Sequence, residues 1–227
     1  MLGLGYTERD RLLEDCGFNG KEPFYQYHDE NGELQLELYY NEGTCKGCGI
    51  RYDPGGNQNP QGFKFDGSKM EEYDSEFLKE RLNADPYELL ANGGVDLSKD
   101  EWIEDYEENI EYLSDGRPKH FKSQGWITYV DDEHETQKLL EIEFTYREDG
   151  TLRRRDYAHN MMALETWHSV THSFYDTQER LLYEDCYITH GSIDYYYIYQ
   201  DDKEQSTYCL MLDHDLGVIH AAMVKVK

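Results

Sequence analysis

From Leu139 to Val226, apolar and polar positions alternate with a period of two. Leu140, Ile142, Phe144 and Tyr146 fall on one parity, and Glu141, Glu143 and Thr145 on the other. A strand sends successive side chains to opposite faces, so the stretch predicts a strand with one apolar and one wet face. Ile193, Tyr195, Tyr197 and Tyr199 repeat the pattern, as do Tyr208, Leu210 and Leu212. The runs end on glycine or acidic residues, at Asp149-Gly150, Gly191-Ser192, Asp201-Asp202 and from Asp213 to Gly217. Such punctuation suits tight hairpins, and clean alternation predicts antiparallel sheets with one solvated face.

The turns share a spacing. Tyr112-x-x-Asp115-Gly116-x-Pro118 matches Tyr146-x-x-Asp149-Gly150-x-Leu152, and Tyr175 to Leu181 keeps it with Glu179 in the glycine slot. Two variants one residue longer run from Tyr27 to Asn31-Gly32-x-Leu34 and from Leu212 to Gly217-x-Ile219. Recurrence suggests stacked hairpins. Turn chemistry alone produces similar spacings in any meander, so repeat and coincidence both remain open at this level.

The remaining chain falls into short elements. Residues 7–17 read as a helix, with Thr7 and Asp10 as a capping box, Gly17 as the stop, and Leu12, Leu13 and Cys16 as its docking face. A hairpin is expected near 24–28 and 33–40, then strands from Cys48 to Tyr52 and Phe63 to Phe65, with DPGGNQNPQG as the loop between them. Residues 66–106 change character. Ser68 and Glu71 form a second capping box, and Met70, Tyr73 and Phe77 recur at helical spacing, predicting a helix near 69–82. Asp85-Pro86 opens a second, PYELLA, which Asn92-Gly93-Gly94 stops. Strand pattern resumes from Tyr106 through Asp115-Gly116 to Tyr129. The fold class expected is therefore mainly β: an antiparallel meander of hairpins, organised as one domain over 1–227, with an N-terminal helix and an acidic helical insert at 66–106.

Charge narrows the partners. The 227 residues carry 48 acidic and 22 basic side chains, a net −26, which excludes nucleic acid and anionic membrane surfaces as partners because both repel it. Between Asp66 and Asp115 lie 17 acidic and 4 basic residues, half the net charge. That run reads either as a solvated face or as a docking surface for a basic protein, with Glu72, Glu76 and Glu80 as candidates. Hydrophobic content is 38%, but 21 tyrosines add amphipathic area that can pack. No apolar run follows Met1 and no span is long enough to cross a membrane. The expected location is cytoplasmic, or extracellular if an export signal preceded the chain. Five cysteines leave an odd thiol, which favours a reducing compartment.

The chemistry-bearing spacings are few. Cys45-Lys-Gly-Cys48 could grip zinc or close a redox disulfide, but no second pair follows, and two thiols in a hairpin loop explain it as well. His168 and His172 share a face on helix or strand; a metal there needs a carboxylate on that face, and Glu165 has the wrong parity. No Walker loop, GxGxxG or GxSxG elbow occurs. Neither a cofactor nor a catalytic residue is expected. Tyr195, Tyr197 and Tyr199 read either as a binding platform for a sugar or protein, or as a face packed on neighbouring strands.

The segment YQYHDENGELQLELYYNEG, from Tyr25 to Gly43, resembles MORN-variant repeats of bacterial proteins, and the Tyr-Asp turns resemble the YD repeats of polymorphic-toxin shells. KEPFYQYHDENGEL, FTYREDGTL and YITHGS are similar to stretches of uncharacterised, often exported proteins of gut Gram-positive bacteria. The resemblance implies β-hairpin arrays without catalytic residues, some of whose carriers are antitoxin or immunity components. The function expected is a non-enzymatic binding protein, in its sharpest form an inhibitor of a basic toxin-like partner. The alternative is an exported surface protein or lipoprotein ectodomain that binds a glycan or envelope component.

Overall fold

The runs that alternate in sequence are the ones that pair in space. The computed structural model describes residues 8–52, 61–66, 78, 81–87, 103–128, 135–162, 166–188, 191–199, 208–215 and 218–225. Strands β1 (Tyr25–His28), β2 (Leu34–Asn41), β3 (Lys46–Arg51) and β4 (Gln61–Asp66) form one sheet in that order. A second sheet holds β5 (Ile103–Tyr112), β6 (Pro118–Thr128), β7 (Glu135–Tyr146), β8 (Leu152–Met162), β9 (Thr166–Tyr175), β10 (Leu181–Ile188), β11 (Gly191–Ile198), β12 (Tyr208–Asp215) and β13 (Val218–Lys225), again in sequence order. Every pairing is antiparallel. The chain is thus mainly β, an antiparallel meander of hairpins. Helix α1 (Glu8–Asp15) precedes it, and residues 78 and 81–83 of the acidic insert are helical. Among the described residues no helix is long and apolar enough to cross a membrane.

Helix α1 stops where glycine allows it to. Gly17 takes φ +75°, Phe18 N donates to Leu13 O at 2.7 Å and Gly17 N to Glu14 O at 3.0 Å. This is the paired bonding that closes a helix over a left-handed residue. Leu13 and Phe18 are buried with Tyr39, Cys48 and Ile50, and Leu12 and Cys16 pack beside them, so the expected docking face is the one used.

Four hairpins carry the same turn. In residues 29–33, 113–117, 147–151 and 176–180 the first N–H donates to the fifth carbonyl at 2.8–3.0 Å, and the fourth N–H to the first carbonyl at 3.0–3.1 Å. The fourth residue has positive φ each time: Gly32, Gly116, Gly150 and Glu179 at 78°, 88°, 93° and 59°. An aspartate fixes each loop by accepting the N–H of the fifth residue. It stands first in the turn as Asp29 and Asp176, and third as Asp115 and Asp149. A register shift follows the turn in all four. The repeat is therefore geometrical, beyond a shared composition. The 29–33 turn is no longer than the others, contrary to the spacing in sequence. His28, not Tyr27, stands where Tyr112, Tyr146 and Tyr175 stand, which puts Tyr27 on the opposite face. The expected fifth member differs: β12 and β13 pair without a shift up to Asp215 with Val218.

Three of these turns lie along one end of the large sheet and are tied together. Arg117 Nη1 donates to Gly150 O at 2.5 Å, and Arg147 Nη1 to Asp176 O at 2.9 Å. Tyr146 Oη donates to Pro118 O and Tyr199 Oη to Leu181 O, equivalent carbonyls after the first and third of these turns. Arg117 lies 4.4 Å over the Tyr146 ring and Arg180 4.5 Å over that of Tyr199. Tyr199 is thus a further member of the tyrosine column that the turn spacing picked out.

The expectation of one wet face holds for only part of the sheet. On one face Phe121, Leu140, Ile142, Phe144, Tyr195, Tyr197, Cys209 and Val224 pack with Leu78, Leu82 and Tyr87 of the insert. On the other, Tyr196, Ile198, Tyr208, Leu210 and Met223 pack against Leu36, Leu38, Phe63 and Phe65 of the small sheet. Strands β11 and β12 are therefore covered on both faces, with both parities buried.

Candidate functional site

Cross-strand register places a polar group inside the first of these faces. Phe144, Arg155, Ser173, Glu184, Tyr195 and Met211 lie directly opposite one another on successive strands and so share a face. Its centre is polar. Glu184 is 2% exposed and is fully engaged: Arg81 Nε donates to Oε2 at 2.9 Å, Tyr197 Oη to Oε2 at 2.7 Å and Ser173 Oγ to Oε1 at 2.9 Å. Arg81 comes from the insert and also lies 4.8 Å over the Tyr195 ring. Burial pushes the Tyr197 hydroxyl well above its usual range, and Glu184 pushes it further, so it stays a donor.

Arg155, on the next strand but one, is less well served. Its Nη2 reaches Ser173 Oγ at 3.4 Å, and its Nε is buried with no partner. Arg155 and Glu184 border a cavity of about 410 Å³ between the sheet and residues 81–86, lined also by Tyr157, Tyr175, Leu181 and Tyr199.

The opposite face holds a second polar arrangement. Glu111, His120, Glu143, Asp156, His172, Asp185 and Asp194 are cross-strand partners in sequence, one titratable residue on each of seven consecutive strands. The row starts at the open edge, where Glu111 and Glu143 are exposed, and ends beneath the small sheet, where Asp194 is 0% exposed. At the buried end Asp194 meets Arg51 Nε at 3.2 Å, His214 Nε2 at 2.8 Å and the Tyr183 hydroxyl at 2.9 Å. Burial, and then Asp194, raise the Asp185 carboxyl above its ordinary value. Midway, Asp156 accepts from Arg154 at 2.7 Å and lies 2.5 Å from His172 Nδ1. Burial pushes Asp156 up, but these two bonds outweigh it and hold the carboxyl below its usual range.

The residues singled out from sequence fall as follows. Tyr195 and Tyr197 are 5% and 0% exposed, which corrects the open-platform reading in favour of packing; Tyr199 is half-buried on the cavity wall. Cys45 sits in the turn after β2 at φ +54° beside Tyr40, while Cys48 is buried against Cys16. The two sulfurs of the CxxC spacing thus have different neighbours, and all five cysteines are free. Burial pushes the Cys48 thiol up to about 12, the reverse of an activated thiolate. The glycines around Cys48 have a packing cause: a Cβ on Gly47 would lie 2.2 Å from Phe65 Cζ, and one on Gly49 2.1 Å from Phe63 Cζ. Both rings lie over bare backbone of the adjacent strand. His168 and His172 lie on β9, with His168 paired to Asn160; the His168 side chain is outside the described residues. The carboxylate missing from the parity of β9 is Asp156, from the neighbouring strand. Among the described residues no group of three or more His, Cys, Asp or Glu side chains is placed to hold a metal ion. Glu72, Glu76 and Glu80 lie outside the described residues.

Comparison of the chain with protein-family models, with curated proteins and with solved structures gives no match.

Proposed function

We propose that this chain is a non-enzymatic binding protein that receives a basic protein on the open face of β5–β8. The observation that carries the reading is the row from Glu111 to Asp156, which sets carboxylates in fixed register on a face where, among the described residues, neither buried cluster of the small sheet nor that of the insert lies. Glu107 and Glu141 extend the same face. A net −26 adds a long-range field that accelerates encounter with a positive partner. The resemblance of the turns to MORN-variant and YD repeats points the same way, and inhibition of a basic toxin-like protein is the sharpest form of the reading.

Acidic side chains on an edge strand such as β5 also block edge-to-edge pairing and raise solubility. Salt separates the two roles. The Debye length falls from about 10 Å at 0.1 M to about 3 Å at 1 M. With the chain immobilised in native lysate, basic proteins are expected to be retained at low salt and released across that range. Retention that is indifferent to salt, or confined to acidic proteins, would contradict the proposal.

A further inference from the structure

We propose that the cavity between the large sheet and the insert is a binding site for a small organic carboxylate, held by Arg155. Three arginines line the cavity, Arg81, Arg155 and Arg180, in a chain where acids outnumber bases by more than two to one. Arg81 is neutralised by Glu184 and Arg180 by Asp176 at 2.7 Å. Arg155 has no carboxylate partner among the described residues, and its contact to Ser173 is long at 3.4 Å. The hydrogen bonds of Glu184 go to Arg81, Tyr197 and Ser173 instead.

A buried donor without a partner destabilises the fold unless something supplies an acceptor. The described residues contain two buried side-chain polar atoms in that condition, Ser123 Oγ and Arg155 Nε, and of these residues Arg155 alone lines this cavity. Nε itself is covered, so a ligand meets the guanidinium from its terminal nitrogens. A small rotation of the planar group then brings Nε into a two-point bond. That fork matches a carboxylate, which accepts two parallel N–H bonds.

The walls specify the rest. Leu82, Leu181, Tyr157, Tyr175 and Tyr199 offer apolar and aromatic surface for the body of the ligand. Pockets for metabolite-sized ligands run from roughly 300 to 1,000 Å³, and this one has about 410 Å³. Glu179 stands exposed at the margin, with Oε1 accepting the Leu152 N–H at 2.6 Å. Together with Glu184 it opposes a second negative charge, which favours a monoanionic carboxylate over a phosphate dianion.

The test is calorimetric titration with 4-phenylbutyrate, 4-phenylbutanol and phenyl phosphate. Wild type is expected to bind the butyrate, with the alcohol and the phosphate each weaker by about tenfold or more. Arg155→Met keeps the apolar stem and removes the fork, so the preference for butyrate over the alcohol is expected to vanish while the unfolding midpoint stays close to wild type. Arg155→Lys keeps the charge without the planar fork and is expected to retain part of the preference; it carries the test if the methionine variant does not fold. Equal binding of butyrate and alcohol by wild type, no butyrate heat at about 10 mM, or a preference unchanged in the variants that fold would overturn the proposal. Tighter binding of phenyl phosphate than of the butyrate would overturn the assignment to carboxylates.

Discussion

Along the row that begins at Glu111 and ends at Asp194, the two halves of the large sheet meet opposite surroundings. Near β5–β8 its carboxylates face water, and their bases, such as Lys119 at 3.6 Å from Glu111, are exposed too. Toward β10–β13 the small sheet closes over it, and Asp194 is enclosed by Arg51, His214 and Tyr183. Both halves belong to one continuous antiparallel meander, so strand pairing does not set the difference. What differs is the covering layer, and the covering layer brings the arginine: Arg51 stands on β3. A charge in the covered half is part of the fold, whereas one in the open half is free to serve recognition.

The sharpest way to break this contrast is Asp194→Ala. It leaves Arg51 and His214 facing a buried site without their anion, and removing one partner of a buried pair costs about 3–5 kcal/mol. Urea unfolding is expected to show a loss of that order; a loss like that of a surface substitution would place Asp194 outside the core. Next in size is Gly49→Ala, whose Cβ would meet Phe63 Cζ at 2.1 Å. Overpacking of this kind costs about 1–3 kcal/mol. An unchanged midpoint would mean that the ring moves aside freely.

Acid should weaken the covered and intermediate pairs. Burial pushes Glu37 up, but bonds from Arg9 and Tyr52 outweigh it and hold the carboxyl below its usual range; Asp156 behaves likewise. A lowered native value gives stability that is present above the unfolded value, about 4, and is lost as pH falls through the native one. The urea midpoint is expected to decline below about pH 5. Arg9→Met should cost about 1 kcal/mol at neutral pH and flatten that decline, since Arg9 is 39% exposed. An equally steep decline in the variant would remove Glu37 from the explanation. Asp185 runs the other way. Its native value is raised by burial and by Asp194, so its ionised form opposes folding above that value. Asp185→Asn is expected to raise stability at pH 7 by under about 1 kcal/mol, a gain that fades below about pH 4. A destabilised variant at pH 7 would contradict this.

The strands and turns were legible because their causes are local. Alternation over 140–146 needs one covered face, and Asp-Gly needs positive φ. Even Glu179 could be placed in a glycine slot before its φ of 59° was known. Features made by distant segments were not legible. Tyr195 to Tyr197 reads as one good face, but Tyr196 is buried too, because a separate sheet folds over it. Glu184 and Asp194 cannot be told from 46 other acids until Arg81 and Arg51 arrive from elsewhere. The Cys45–Cys48 spacing allowed a metal loop, whereas the glycines flanking Cys48 answer to Phe63 and Phe65 on the next strand. Arg155 had no signal in the sequence, since its distinction is the partner it lacks. Arg117 and Arg180, each over the tyrosine of the following repeat, were a findable signal that the turn spacing overlooked.

The smallest effect on stability, and the most direct test of the recognition role, comes from the open half. Glu107, Glu111 and Glu143 are exposed on one face of β5–β7. Their triple replacement by lysine keeps charge on the edge, so protection against edge pairing persists while attraction for a basic protein is lost. The measurement is the association rate of wild type and triple variant with the basic protein retained from lysate, from low to high salt, alongside urea unfolding of both. The expected result is an unchanged unfolding midpoint, a marked fall in association rate at low salt, and convergence of the two proteins near 1 M. Equal rates at low salt with both proteins folded would contradict the assignment of this face to partner binding.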